Sequence, residues 1–390
     1  MVLDGIWHFP RPVRFGAGRI GDLGVACREL GMTRPLIVSD PGIVATGTID
    51  DAVVALARQG LTATVFAGLA ANPTDSAVAA GAAVLREGRH DGVIPWGGGS
   101  ALDAGKTIAL MAHAAEPIWA YEWRPDFTPS TAPVPAPPII TVPTTAGTGS
   151  EMEGGAVITD TATRVKRIVA HPAMAPRLVI ADPALSVGLP AHLTAWTGMD
   201  ALSHCLEALF APEFDPFSDG IAMMGTRLVK DWLPRAVENG RDLDARGYML
   251  VAASMGAVAF RKGLGAMHGI SHAVGALLDT QHGLTNAVVM PYVLASHGNA
   301  IAEKATRLAR FLGLSDPSLP AFLAWVQAFR RDLGIPATLA ALGVEDDHVD
   351  ALVPRVMADG NMLTNPRPLD ADAVRHLLVA TIRGGDAVLT

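Results

Sequence analysis

Residues Gly92–Gly105, GVIPWGGGSALDAG, decide how the first half of the chain is read. Gly92–Pro95 is a short apolar run of the kind a fully buried strand shows. Gly97, Gly98, Gly99 and Ser100 follow it, and from Ala101 to His113 the spacing is helical. Strand, glycine turn and helix in that order place the unpaired N–H groups and partial positive charge of a helix N-terminus just beyond a strand end. Glycines there let a phosphate approach the backbone. The turn lacks the GxGxxG spacing, so it equally suits an ordinary tight strand–helix connection.

The same alternation extends on both sides. Pro35–Ser39 (PLIVS) reads as a strand ended by Asp40-Pro41-Gly42, Ile49–Gln59 as a helix and Thr62–Phe66 as a strand. Ser76–Glu87 is an alanine-rich helix, Pro138–Val142 a strand, and strand-like runs continue at Ala156–Thr159 and Leu178–Ala181. Alternating strands and helices imply a mostly parallel sheet covered by helices, a Rossmann-like α/β domain of the dinucleotide-binding type. Between Trp119 and Pro138 the chain is rich in proline and aromatics and reads as a surface excursion.

Beyond Asp182-Pro183 the periodicity is helical throughout, over Ala201–Phe210, Gly220–Leu233, Asp242–Phe260, His272–Leu278, Ile301–Leu312, Leu319–Leu333 and Ala371–Thr381. The expected organisation is an α/β domain over residues 1–185 and an all-α domain over 186–390. No internal repeat of fixed period is present.

A chain of 390 residues exceeds the size at which single cores stop growing, which agrees with two domains. Half of it is hydrophobic and 17% is charged, the balance of a packed globular protein. The net charge of −8, with no basic stripe, argues against nucleic acid or an anionic membrane as partner. The first fifteen residues, MVLDGIWHFPRPVRF, do not have the pattern of a signal peptide, and no apolar run reaches membrane-spanning length. Cys27 and Cys205 stand alone and far apart, so a disulfide framework is not expected and a reducing cytoplasm is.

A second glycine-rich stretch, Pro143–Glu151 (PTTAGTGSE), again follows a strand and offers the hydroxyls of Thr144, Thr145, Thr148 and Ser150 around Gly149. It reads as a ligand-contacting loop or as a polar turn. Asp40, at the end of a strand, can accept hydrogen bonds from a ribose diol or can simply form the turn before Pro41-Gly42.

Three of the twelve histidines, His268, His272 and His282, fall within fifteen residues where even scattering predicts about 0.5. Upstream, Asp200 and His204 lie four apart on an expected helix, so both face one side with Cβ atoms roughly 5–6 Å apart. His268 and His282 on one continuous helix would stand roughly 21 Å apart. They can share one ion only if the chain turns back between them, and Asp279-Thr280 and Gly283 offer the place. One carboxylate and several imidazoles suit Fe²⁺ or Zn²⁺ better than Ca²⁺ or Mg²⁺. The same residues also suit satisfied polar positions at helix ends.

GMDALSHCLEA from Gly198, GLGAMHGISHAVGALLDTQHG from Gly263 and the two glycine-rich stretches together resemble the iron-containing (group III) alcohol dehydrogenases. The likeness runs in order from VRFGAG at Val13 to Asn365-Pro366-Arg367. It implies a dinucleotide-binding half, an all-helical metal-binding half, and Asp200, His204, His268 and His282 as ligands of one divalent ion, Fe²⁺ ahead of Zn²⁺. It excludes His272 as a ligand and places it beside the nicotinamide, where it helps move the alcohol proton. Gly97, Gly98, Gly99, Ser100 and Asp103 would hold the pyrophosphate, and Thr144, Thr145, Thr148 and Gly149 the nicotinamide and ribose. Lys166 matches a lysine near the cofactor, and Asp40 matches an aspartate that favours NAD over NADP. The implied reaction passes a hydride between a small primary alcohol and NAD, in a homodimer or larger homo-oligomer.

Two departures stand out. Phe260 is followed by Arg261-Lys262, in a segment one residue shorter than in many members, and these cations suit an acidic substrate such as an ω-hydroxy acid or else are solvated. Trp96 replaces a small residue and would shape the adenine side. Competing readings are a dehydroquinate synthase-like or glycerol dehydrogenase-like enzyme, and a nucleotide- or metal-binding protein without catalysis.

Overall fold

Strands β1 (Val13–Phe15), β2 (Pro35–Val38), β3 (Thr64–Phe66), β4 (Gly92–Gly97), β6 (Ile140–Pro143) and β9 (Leu178–Ala181) form a six-stranded sheet in the order β1-β9-β6-β4-β2-β3. Every pairing in it is parallel. The fold is that of a computed structural model, described for residues 11–70, 72–124 and 129–384. The first ten residues, used above to argue against a signal peptide, lie outside the described residues, as do 125–128 of the proline-rich excursion. The chain divides into two compact units, 11–189 and 190–384 among the described residues.

In the first unit β2, β4, β6 and β9 are buried along their whole length, which explains their unbroken apolar composition. Alternate residues feed two cores: Leu36, Val38 and Val93 on one face, Ile37, Ile94 and Trp96 on the other. Helices α1 (Leu23–Glu29), α2 (Pro41–Val44), α3 (Thr48–Ala57), α4 (Asp75–Glu87) and α5 (Gly99–Met111) lie between strands. A second sheet, β5 (Glu122–Trp123), β8 (Val165–Ala170) and β7 (Gly155–Asp160), is antiparallel. The run Ala156–Thr159 therefore belongs to a hairpin with β8 and not to the main sheet.

The second unit has helices α6 (Ala191–Phe210), α7 (Pro216–Glu238), α8 (Leu243–Ala259), α9 (Ala266–Leu278), α10 (His282–His297), α11 (Ala302–Phe311), α12 (Leu319–Asp332), α13 (Val349–Ala358) and α14 (Ala371–Arg383), and no strand among the described residues. Fifteen of the twenty residues of α6 are buried, so this is the central helix, packed against α7, α8 and α10. Helix α10 gave no periodic signal because it is buried on almost every side, and it carries Pro291 inside. Among the described residues no helix is long and apolar enough to cross a membrane.

Candidate metal centre and dinucleotide cradle

Helix α6 presents Asp200, His204 and Glu207 on one face, at spacings of four and three. Helix α9 then ends at Leu278, where Asp279 adopts a left-handed conformation with φ of 56°. Gln281 caps α10 by accepting from the Leu284 N–H, so His282 is the first residue of the next helix. Gly283 sits where a Cβ would come 2.4 Å from the Trp196 carbonyl oxygen and 2.9 Å from the Asp200 Cβ. Its role is thus close approach of α10 to α6 and not the turn expected of it. The turn falls at Asp279.

This arrangement brings one ligand atom from each of Asp200, His204, His268 and His282 within 4.8 Å of one another. Asp200, His204 and His268 are buried. The His204 and His268 rings stack with centroids 4.7 Å apart. His268 places Nδ1 2.5 Å from Glu207 Oε2, and Glu207 Oε1 accepts from the Met267 N–H at 2.7 Å. The Ser271 hydroxyl donates to the His282 carbonyl, so its oxygen is left to accept from His282 Nδ1–H at 2.9 Å. Both rings therefore hold their protons on Nδ1 and turn Nε2 inward. The Asn286 amide nitrogen lies among these groups, 2.9 Å from Asp200 Oδ1, 3.3 Å from His268 Nε2 and 3.2 Å from His282 Nε2.

Electrostatics agree with the tautomers. Burial pushes His268 down to about 4 against the attraction of Asp200, so the ring stays neutral and keeps a lone pair. Burial pushes the Glu207 carboxyl up to about 7, opposed by the N–H groups of Met267 and Gly265. A carboxylate and three imidazoles with converging lone pairs fit a borderline divalent ion.

His272 lies beside this cluster, its ring stacked on His282 at 5.3 Å and 22°. Its Nδ1 is 2.8 Å from Asp359 Oδ2, which leaves Nε2 as the acceptor. Burial acts to raise the Asp359 carboxyl, but His272 and the Asn361 N–H outweigh it and hold the group below the usual carboxylate range. Glu207, Ser271, Asn286 and Asp359 were not singled out from sequence. The first three sit three or four residues from a proposed ligand on its own helix, which is a usable signal. Asp359 is far from the cluster in sequence and offers none.

In the first unit the two glycine-rich stretches meet because β4 and β6 are neighbours, with Gly97 opposite Pro143. The Thr144 N–H donates to the Gly97 carbonyl at 2.9 Å. Gly98 is the N-cap of α5 and supplies no side chain to the N–H groups of the first turn, which contains Gly99 and Ser100. A Cβ on Gly99 would come 2.6 Å from the Thr148 methyl, and one on Gly98 3.3 Å from that of Thr145. Gly149 adopts a left-handed conformation. Asp40 caps α2, with Oδ1 accepting from the Ile43 N–H at 3.0 Å, while Oδ2 faces Gly97. Lys166 lies on β8 opposite Thr159. Both oxygens of Asp103 are taken by protein donors, the Ser150 hydroxyl and the Val157 N–H.

The cations of the Phe260 segment part company. Arg261 is exposed. Lys262 is buried, paired with Asp219 and donating to the Leu209 carbonyl at the end of α6, so it is neither solvated nor available to a substrate. Trp96 is wholly buried in the same core as Ile94 and Val142 and lines a cavity of about 300 Å³ with Leu23, Thr48 and Leu185.

The iron-containing alcohol dehydrogenase profile matches residues 10–183, and that of the Fe-containing alcohol dehydrogenase family, C-terminal, matches 194–382. The chain belongs to the iron-containing alcohol dehydrogenase family. It is 38% identical over 373 residues to a 4-hydroxybutyrate dehydrogenase of Cupriavidus necator, covering 93% of this chain and 95% of the relative. It is 35% identical over 370 residues to an NAD-dependent methanol dehydrogenase of Bacillus methanolicus, covering 93% and 96%. A crystal structure of 1,3-propanediol oxidoreductase superposes with a TM-score of 0.92 at 33% identity, covering 97% of this chain and all of the other. The protein is accordingly an alcohol dehydrogenase, an oxidoreductase acting on CH–OH groups, and the cyclase and non-catalytic readings fall away.

Proposed function

We propose that the protein oxidises a small primary alcohol, or reduces the matching aldehyde, at the four-residue cluster of the helical unit. The observation that carries this is the convergence of Asp200, His204, His268 and His282 within 4.8 Å. These residues would hold a divalent ion, iron ahead of zinc, which would supply Lewis-acid chemistry at the alcohol oxygen, with a nicotinamide dinucleotide as the hydride acceptor. Glu207, Ser271 and Asn286 orient the ligand side chains. His272 accepts the hydroxyl proton at Nε2, and Asp359 fixes the tautomer that allows it.

The cofactor is NAD in preference to NADP. The second oxygen of Asp40, facing Gly97, supports this, because a carboxylate there accepts from a ribose diol and repels a 2′-phosphate. Gly97–Ser100 would cradle the pyrophosphate, Thr144, Thr145, Thr148 and Gly149 the nicotinamide side, with Lys166 nearby. An ω-hydroxy acid is the second substrate reading, supported by the likeness to a 4-hydroxybutyrate dehydrogenase. It cannot use Lys262. A homodimer or larger homo-oligomer is proposed from the edge position of β1, which exposes Val13 and Phe15. Two free buried cysteines support a cytoplasmic location.

The test is NADH formation from methanol, 1,3-propanediol, butanol and 4-hydroxybutyrate after loading with Fe²⁺ or Zn²⁺. Measurable NAD binding with no turnover of any alcohol or aldehyde would sink the reading.

A further inference from the structure

Among the described residues of the first unit Lys106 is the most deeply buried lysine or arginine, with its side chain 0% exposed. A lysine is rarely taken fully out of water unless its ammonium is paired. Here Nζ donates to the carbonyls of Ser150 at 2.8 Å, Glu153 at 3.2 Å and Gly155 at 2.5 Å, which uses all three of its protons. Those carbonyls run from the end of the threonine loop to the first residue of β7. Asp103, one turn earlier on α5 and 3.5 Å from Nζ, reaches the same segment through the Ser150 hydroxyl and the Val157 N–H. Burial draws the Lys106 ammonium below the usual lysine range, with Asp103 opposing.

Helix α5 thus meets the 144–157 segment twice. Its first turn brings Gly98 and Gly99 against Thr145 and Thr148. One turn further on, Asp103 and Lys106 pin the end of the same loop. A direct role for Asp103 on a pyrophosphate is unfavourable, since both oxygens already have donors and its charge would repel the phosphates.

We infer that Asp103 and Lys106 act as one clip that holds the threonine loop in its dinucleotide-accepting shape, as positioning residues that do not touch the dinucleotide. This rests on the cradle reading under Proposed function. A loop already held in shape loses less conformational freedom on binding, so the clip strengthens dinucleotide binding without contributing to the chemical step.

Two substitutions in the full chain test this, Lys106→Met, which keeps length and apolar bulk, and Asp103→Asn. Amide hydrogen exchange on protein without dinucleotide reads the loop, NADH fluorescence reads binding, and KM for NAD is compared with kcat at saturating NAD. Both variants are expected to exchange faster over 144–157 while α6 to α10 keep their protection. NADH binding should weaken about tenfold and KM rise in parallel, with kcat within about threefold. Should Lys106→Met fail to fold, Asp103→Asn and Ser150→Ala carry the same comparison. Unchanged loop protection with unchanged NADH affinity overturns the clip. Weakened NADH binding in Asp103→Asn with unchanged loop protection also overturns it, in favour of direct contact. Wild-type protein that binds no NADH overturns the cradle reading itself, and the clip with it.

Discussion

The His268 and His282 rings stand 5.3 Å apart, although fourteen residues separate them. On a continuous helix the separation would be roughly 21 Å. The difference is made by one left-handed residue, Asp279, which ends α9 so that α10 can start at His282. A β-branched residue tolerates that conformation poorly, whereas glycine and asparagine adopt it readily. Asp279→Val should therefore cost about 1–2 kcal/mol of stability and weaken metal binding. Asp279→Gly and Asp279→Asn should keep metal affinity close to wild type. Thermal unfolding and competition with a chelator decide between these outcomes; a valine variant with full metal affinity would show that the turn is set elsewhere.

His268 and His272 lie one turn apart on α9 but have different partners, Glu207 and Asp359. His268→Ala should leave the protein without bound iron or zinc and without activity. His272→Ala should retain the metal and lose turnover on the order of 10²-fold. Metal analysis beside steady-state rates separates the two. An emptied site in His272→Ala would reverse the assignment of roles.

Glu207 holds the His268 ring through Nδ1 and also takes the Met267 N–H at the start of α9. Glu207→Gln keeps the shape, but its single carbonyl oxygen can accept from only one of the two N–H groups, and its NH₂ opposes the other. The expected result is metal affinity lower by 10- to 100-fold, as for other groups that orient metal-binding histidines. Chelator competition reads this directly. Affinity equal to wild type would mean that helix packing alone orients His268.

Part of this cluster was legible in the sequence because Asp200 and His204 stand four apart on one helix and three histidines crowd into 268–282. The parallel sheet was legible because β2, β4, β6 and β9 are buried on both faces and read as unbroken apolar runs. Helix α10 was not, since burial on nearly every side erases the amphipathic period on which such readings depend. Of the hairpin of β7 and β8 only the first strand was read, as one more run of the alternating pattern, because pairing partners leave no trace in either segment alone. Lys262 looked like a surface cation because nothing local announces Asp219, more than forty residues away. The partners of Asp103 at 150 and 157 were equally out of reach, being distant in sequence.

His297, at the end of α10, is buried, and its Nδ1 has no hydrogen-bond partner among the described residues. Burial, reinforced by the charge of Arg367, depresses its pKa to about 4 from the 6.5 of a free imidazole. The unfolded chain therefore binds a proton between pH 6.5 and 4 that the native state refuses, and stability falls as pH drops through that window. The contribution at pH 5 relative to pH 7 is a loss of about 2 kcal/mol. His297→Gln removes the titrating group, so its stability difference between pH 7 and pH 5 should be smaller than wild type's by that amount. Urea unfolding at both pH values measures it, and equal differences in the two proteins would assign the acid sensitivity to other groups.

Asp359 reaches the centre from the segment after α13, and its charge faces the ring proposed to take the alcohol proton. Asparagine at this position still accepts from His272 Nδ1–H but no longer stabilises a protonated ring. Alanine removes the acceptor as well and leaves the tautomer unfixed. Turnover should fall in the order wild type, Asp359→Asn, Asp359→Ala, with the alanine variant approaching the loss seen in His272→Ala, on the order of 10²-fold. Bound metal should stay constant across the series, because Asp359 touches none of the four proposed ligands. If the double variant His272→Ala/Asp359→Ala lost the product of the two single effects, the residues would be acting independently. The hydrogen bond between them predicts instead that the second substitution adds little to the first.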